Sequence, residues 1–303
     1  MKKSIVPSVI SKVAMMGLFA LAGAALATAG VQPTDAPVQP LPKPLELTSS
    51  QFLLVYQMLS ITIATMGASF IFFVLGRQNL SAKYQPAMLV SALVVAVACY
   101  HYFRIFNSWN EAYALTDGVY RATGVPFNDA YRYADWILTV PLLLVETVAV
   151  LALASNVASG MIGRLVIAAF AMIVLGYPGE VSFDTGTRLL WGTLSTIPFV
   201  YIVYTLFVEL GKSLAQQSER VQVLVRNLRL LLFASWGFYP IAYLLPVILG
   251  GLSASGIIAV QVGYTLADIL AKAAFGTLIY FIAIEKMKAD GNVRNGEVAL
   301  ASD

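Results

Sequence analysis

Residues 130–153 read AYRYADWILTVPLLLVETVAVLAL, a run in which Arg132, Asp135 and Glu146 stand among apolar neighbours. At 1.5 Å per residue, a helix of this length spans about 36 Å, enough to cross roughly 30 Å of bilayer hydrocarbon. Backbone groups in lipid must bond within their own segment, so a run of this kind is a helix. A membrane strand would alternate with period two, and this run does not. Arg132 and Asp135 are three residues apart, and Asp135 and Thr139 four apart, so they share one face. Glu146 lies eleven residues beyond Asp135, close to three full turns, which places it on a similar face about 16 Å further along. An ionisable group in hydrocarbon costs several kcal/mol and therefore marks function.

Six further apolar runs extend outward from this one, at 51–76, 86–106, 162–178, 189–208, 230–250 and 256–284. The expected fold is all-α and membrane-integral, a bundle of seven transmembrane helices. The composition agrees: 59% of residues are hydrophobic and 12% charged, with a mean hydropathy of +0.77. About 25% charge is usual in a soluble domain, so a soluble enzyme and a disordered chain are excluded. A net charge of +3 is too small for a surface that binds nucleic acid. One cysteine, Cys99, precludes an internal disulfide, and with a single histidine, His101, no metal site is expected.

Residues 1–29 read as a signal peptide, with Lys2, Lys3 and Lys12 before an uncharged stretch that ends at Ala27-Thr28-Ala29; a retained extra helix is the alternative. Residues 30–50, rich in proline, read as an extended extracellular tail. The helical domain is expected at 51–286, and 287–303 as a cytoplasmic tail. With the N-terminus outside, the inner loops and C-terminus hold ten basic residues (Arg77, Lys83, Arg164, Lys212, Arg220, Arg226, Arg229, Lys286, Lys288, Arg294). The outer segments hold three (Lys43, Arg121, Arg188), so the bias favours N-terminus out and C-terminus in. Asp117-Gly118, flanked by Tyr113, Leu115, Val119 and Tyr120, predicts a β-hairpin in the outer loop.

The second run carries His101 and Arg104, and the seventh Asp268 and Lys272. A buried lysine loses its proton readily and becomes a nucleophilic amine, the chemistry that binds an aldehyde as a Schiff base. The plain alternative is an ion pair with Asp268 one turn away. Arg132 and the cation at Lys272 together balance Asp135 and Asp268. Glu146 has only apolar residues and Thr147 beside it in sequence, and desolvation favours its protonated form. One ionised and one protonated carboxylate on opposite sides of a titratable amine make a one-way proton path; a Glu146 that snorkels to the inner interface is the bland reading.

These residues resemble the microbial rhodopsin family, and within it the proteorhodopsin and xanthorhodopsin type of proton pump. The carriers of the resemblance are Arg132-Tyr133-Ala134-Asp135-Trp136 with Thr139-Val140-Pro141-Leu142-Leu143, then Asp268 to Lys272 followed by Phe275-Gly276, and Trp236, Tyr239 and Pro240. The resemblance implies all-trans retinal on Lys272 as a protonated Schiff base. It implies Asp135 as proton acceptor and counterion, with Asp268, Arg132 and His101 in the counterion group, and Glu146 as proton donor. His101 is similar to a histidine that hydrogen-bonds the counterion. Around the retinal the resemblance places Trp136, Thr139, Leu143, Met172, Gly176, Trp191, Ser195, Trp236, Tyr239 and Pro240, with Leu143 associated with green absorption. Gly192 is similar to a glycine that opens a lipid-facing window for a carotenoid antenna; close helix packing is the other reading of that glycine.

The implied activity is that of a light-driven outward proton pump, an ion transporter rather than an enzyme, multi-pass in the bacterial inner membrane. A homo-oligomer in lipid, pentamer or trimer, is expected, with no transducer. The loop from Gly250 to Gly256 departs from the archaeal pattern by carrying no carboxylate. Glu111, Asp117, Asp129, Glu180 and Asp184 are outer-loop candidates for proton release, and spacing singles out none of them. A photosensory receptor of the same fold is the runner-up, against which Glu146 argues. A transporter binding its substrate at Asp268 and Lys272 is the reading from outside the family.

Overall fold

Seven helices long and apolar enough to span a membrane follow one another along the chain in the computed structural model. They are α1 (Ser49–Gly76), α2 (Gln85–Ala112), α3 (Ala130–Val150), α4 (Ser155–Glu180), α5 (Thr185–Tyr204), α6 (Glu219–Ile248) and α7, whose halves Ala254–Asp268 and Phe275–Ala289 are joined by a π-helical turn at Ile269–Ala274. A second π-helical turn, Thr205–Glu209, continues α5 into a short end at Leu210–Leu214. The structure describes residues 46–291, apart from 129, 152, 183, 216, 250 and 252. The signal segment 1–29, the tail to residue 45, Asp129 and residues 292–303 lie outside the described residues.

Several helices are longer than the apolar runs that predict them, while α3 stops at Val150, three residues short of its run. The second continues from residue 106 to Ala112, the fourth starts at Ser155 instead of 162, and α6 starts at Glu219 instead of 230. The first turns of α6 carry Glu219, Arg220, Arg226 and Arg229, so hydropathy alone misses them, although long side chains of this kind lie comfortably at a membrane boundary. The helix α7 ends at Ala289, so the expected tail begins at residue 290, three residues beyond 287. The last residues of the tail expected at 30–50 take regular structure. Glu46–Leu47 form strand β1, and Thr48 closes a capping box with Gln51, accepting from its N–H at 3.2 Å while Gln51 Oε1 accepts from the Thr48 N–H at 2.9 Å.

Consecutive helices pack as neighbours, and α7 returns against α1, α2 and α6 to close the bundle. The expected hairpin forms between α2 and α3 as β2 (Tyr113–Thr116) and β3 (Val119–Ala122). Asp117 and Gly118 take φ of 51° and 85°, the left-handed pair that a two-residue hairpin turn requires. β1 adds antiparallel to β3, and Arg121 Nε donates to Glu46 at 2.9 Å across that pair. Beneath the sheet, Phe52 stacks on Tyr120 at 3.8 Å and on Trp109 at 5.7 Å. Phe52 is 5% exposed. Phe52→Ala is expected to destabilise this end by about 3–5 kcal/mol, read as earlier thermal loss of the folded state, with the exposed Leu53→Ala as an unaffected control.

At the far end, Asp290 accepts from Lys83 at 2.7 Å and from Tyr84 at 2.6 Å, tying the end of α7 to the start of α2. The Lys83 ammonium holds the Asp290 carboxyl below its usual range. Burial, then the Asp290 anion, pushes the Tyr84 hydroxyl up.

Candidate functional site

Lys272 sits inside the π-helical turn of α7, 2% exposed. Wide turns of this kind interrupt the regular ladder and concentrate at functional positions. Its Nζ donates to Asp135 Oδ2 of α3 at 2.5 Å and lies 3.0 Å from Asp268 Oδ2, one turn earlier on its own helix. Asp135 is 1% exposed and Asp268 0%. The charges that the sequence spaces along two separate runs therefore meet at one ammonium.

The two carboxylates are not equivalent. Asp268 Oδ2 also accepts from Tyr102 at 2.7 Å, and Oδ1 accepts from Tyr239 and, at 3.4 Å, from Trp136 Nε1. Both oxygens of Asp268 are thus held by donors from three other helices. Asp135 Oδ1 is buried without a hydrogen-bond partner. His101 Nδ1 lies 4.0 Å from that oxygen, too far for a hydrogen bond, and 3.0 Å from the Val97 carbonyl oxygen. The direct histidine–counterion bond expected from the resemblance is replaced by this local contact within α2. Arg132 is buried; its Nη2 donates to Gln261 Oε1 at 2.8 Å, and its guanidinium lies 5.0 Å over Tyr264 and 5.8 Å over Tyr102.

Glu146 lies further along α3 and is wholly buried, so it does not snorkel to an interface. Ser91 of α2 donates to Glu146 Oε2 at 2.5 Å, while Oε1 has no partner. The helix α7 approaches this spot closely because residue 276 is glycine: a Cβ there would lie 2.6 Å from Phe73 Cζ and 3.3 Å from Ser91 Cβ.

A cavity of about 250 Å³ adjoins Lys272. Trp136, Leu143, Met172, Gly176, Ser195, Trp236, Tyr239 and Pro240, read from the sequence as retinal neighbours, line it. Thr139 and Trp191 do not. The Thr139 hydroxyl donates to the Asp135 carbonyl oxygen at 3.0 Å, a bond within its own helix, and Trp191 lies against Gly179 of α4. Gly192 does line the cavity. The space its missing side chain leaves is taken by Tyr243, whose Cε1 would stand 2.7 Å from a Cβ there, which is the close packing that the second reading of this glycine describes. Ser91, Tyr102, Gln261 and Tyr243 escape a reading limited to charged residues. A polar side chain inside an apolar run is the signal that finds them, since each needs a buried partner.

The cavity fits retinal by its donor set and its walls. It is an apolar, aromatic slot with an amine at one end, and two carboxylates stand ready to balance a cation formed on that amine. Among the described residues there is no cluster of side chains able to hold a metal ion.

Seven membrane-spanning helices around a buried lysine with paired carboxylates define a class of membrane protein. The profile of the bacteriorhodopsin-like protein family matches residues 54–286, and the chain belongs to that family. It is a microbial rhodopsin of the xanthorhodopsin and proteorhodopsin type. A crystallographic structure of xanthorhodopsin, described as a light-driven ion pump with dual chromophore, is 56% identical with a TM-score of 0.79, over 82% of this chain and 99% of that one. A thermophilic rhodopsin is 50% identical with a TM-score of 0.79 over the same shares. The green-light absorbing proteorhodopsin of Gamma-proteobacterium EBAC31A08 is 31% identical over 226 residues, 74% of this chain and 84% of that protein.

Proposed function

We propose that this protein is a light-driven outward proton pump with retinal on Lys272. The observation that carries the reading is the inequality of the two carboxylates at Lys272 Nζ. Asp268 has donors on both oxygens and serves as the fixed anion. Asp135 has one oxygen on the ammonium and one buried oxygen without a partner, so it is the carboxylate with room to take a proton. Retinal, when bound, supplies the light-driven change that releases the proton of Lys272 Nζ.

Asp135 accepts that proton, and Glu146 returns one from the other side, about 16 Å along α3. Burial keeps Glu146 out of contact with bulk water, which suits a donor that must hold its proton until the amine is ready. The loop charges support outward transport, with the hairpin end outside. The lateral reach of the cavity at Gly192 supports a carotenoid antenna lying there, tested by excitation energy passing from carotenoid to retinal. The organism's inner membrane is the setting in which such a pump does work.

Cells given all-trans retinal in unbuffered salt are expected to acidify the medium under green light, and a protonophore is expected to abolish the change. Coloured cells with no external pH change would sink the pump reading in favour of a sensor.

A further inference from the structure

The cavity beside Lys272 continues sideways to the surface of the bundle. Leu189, Thr193 and Thr196 of α5 and Pro240 of α6 line it and are themselves exposed on the outer faces of those helices. Thr193 and Thr196 donate their hydroxyls to the Leu189 and Gly192 carbonyl oxygens, each at 2.8 Å, so the rim offers hydrocarbon no unsatisfied hydroxyl hydrogen. One edge is braced. The Tyr243 hydroxyl donates to the Arg188 carbonyl oxygen at 2.8 Å, Arg188 Nη1 donates back to the Tyr243 carbonyl oxygen at 2.7 Å, and the guanidinium lies 4.9 Å over the ring. This reciprocal clamp ties α5 to α6 and fixes the width of the gap between them.

We infer that this lateral opening is the passage by which retinal reaches Lys272 from the bilayer. The inference rests on the reading of Lys272 as the attachment point. An apolar polyene partitions into hydrocarbon, and a side passage spares it the charged and aromatic ends of the bundle. At Lys272 the aldehyde carbon bonds to Nζ, the aldehyde oxygen leaves as water with two of the three ammonium protons, and the third stays on nitrogen. No oxidant or reductant is needed. A carotenoid seated in the same opening would then have to arrive after retinal.

The test uses the full-length chain made without retinal, in lipid vesicles. All-trans retinal is added, and two signals are followed in time: quenching of tryptophan fluorescence, which reports arrival, and growth of the visible band, which reports attachment. Thr193→Phe and Thr196→Phe obstruct the rim from its lipid side, and Leu189→Ala widens it. The expected result is arrival slowed roughly tenfold in the obstructed variants, as about 1.4 kcal/mol added to a barrier requires, and hastened in Leu189→Ala. A normal band with wild-type arrival rates in all three variants overturns the passage while leaving the attachment intact. A wild-type chain that forms no visible band overturns the attachment at Lys272, and the passage with it.

Discussion

Asp135→Asn is expected to abolish light-driven acidification and to move the visible band to longer wavelength. Asp135 Oδ2 is 2.5 Å from Lys272 Nζ, so the substitution removes one of two anions that stabilise a cation at that nitrogen. Positive charge concentrated at the nitrogen in the dark state loses stabilisation more than charge spread along a polyene does, and the energy gap narrows. Transport fails for a separate reason. An amide oxygen at this position is no useful proton acceptor, and loss of a positioned acid or base typically costs about 10²–10⁴-fold in proton transfer. Asp268→Asn would shift the band as well, but its amide nitrogen cannot accept, so one of the Tyr102 and Tyr239 hydroxyls that now converge on a carboxylate loses its acceptor, and the substitution is expected to damage folding more. Absorption spectra and external pH traces of Asp135→Asn check both effects. Retention of acidification at the wild-type rate would remove Asp135 from the acceptor role.

Glu146→Gln is expected to leave the visible band in place and to slow recovery of the Lys272 proton by about 10²-fold or more. The side chain is about 16 Å along α3 from Asp135, too far to affect the absorbing end strongly. With Glu146 as the proposed donor, its loss would remove the internal proton source, and recovery would then depend on protons reaching the amine from bulk water. The recovery rate should fall about tenfold for each unit rise in pH, whereas the wild-type rate should vary little over the range in which Glu146 stays protonated. Flash-induced absorbance changes, followed across pH, distinguish the two behaviours. A variant whose recovery stays fast and independent of pH would show that another group supplies the proton.

The two substitutions differ because the two carboxyl groups have different surroundings, and the sequence conveys only part of this. Lys272 is conspicuous as a cation inside an apolar run. Asp135 and Glu146 are conspicuous as carboxyl groups on one helical face, since period 3.6 converts a spacing of eleven into a shared side. Seven apolar runs of membrane-spanning length likewise fix the fold class, because hydrocarbon allows a backbone of that composition no other structure. The Asp117-Gly118 turn was legible for a comparable reason: few residue pairs accept two successive positive φ values.

Helix ends were less legible, since charged turns at a membrane boundary do not register as apolar. Glu219, Arg220, Arg226 and Arg229 hid the first turns of α6 in this way. The strand at Glu46–Leu47 was hidden too, because its partner is 75 residues away at Arg121 and nothing local requires the pairing.

What the sequence by itself determined was therefore the class of fold and the identity of the charged groups, both consequences of transferring particular side chains into lipid. What only the tertiary structure decided was how those groups are partnered. Tyr102, Trp136 and Tyr239 come from three helices to satisfy Asp268, and Asp135 is left with a spare oxygen. Hydrogen bonds of this kind depend on distances of a few tenths of an ångström between segments far apart in the chain, and no spacing within one helix specifies them. The sideways reach of the cavity has the same origin. Gly192 is visible in the sequence, but whether its missing side chain opens a passage or admits a neighbour depends on where Tyr243 packs, and the Arg188 clamp fixes that only once α5 and α6 have come together.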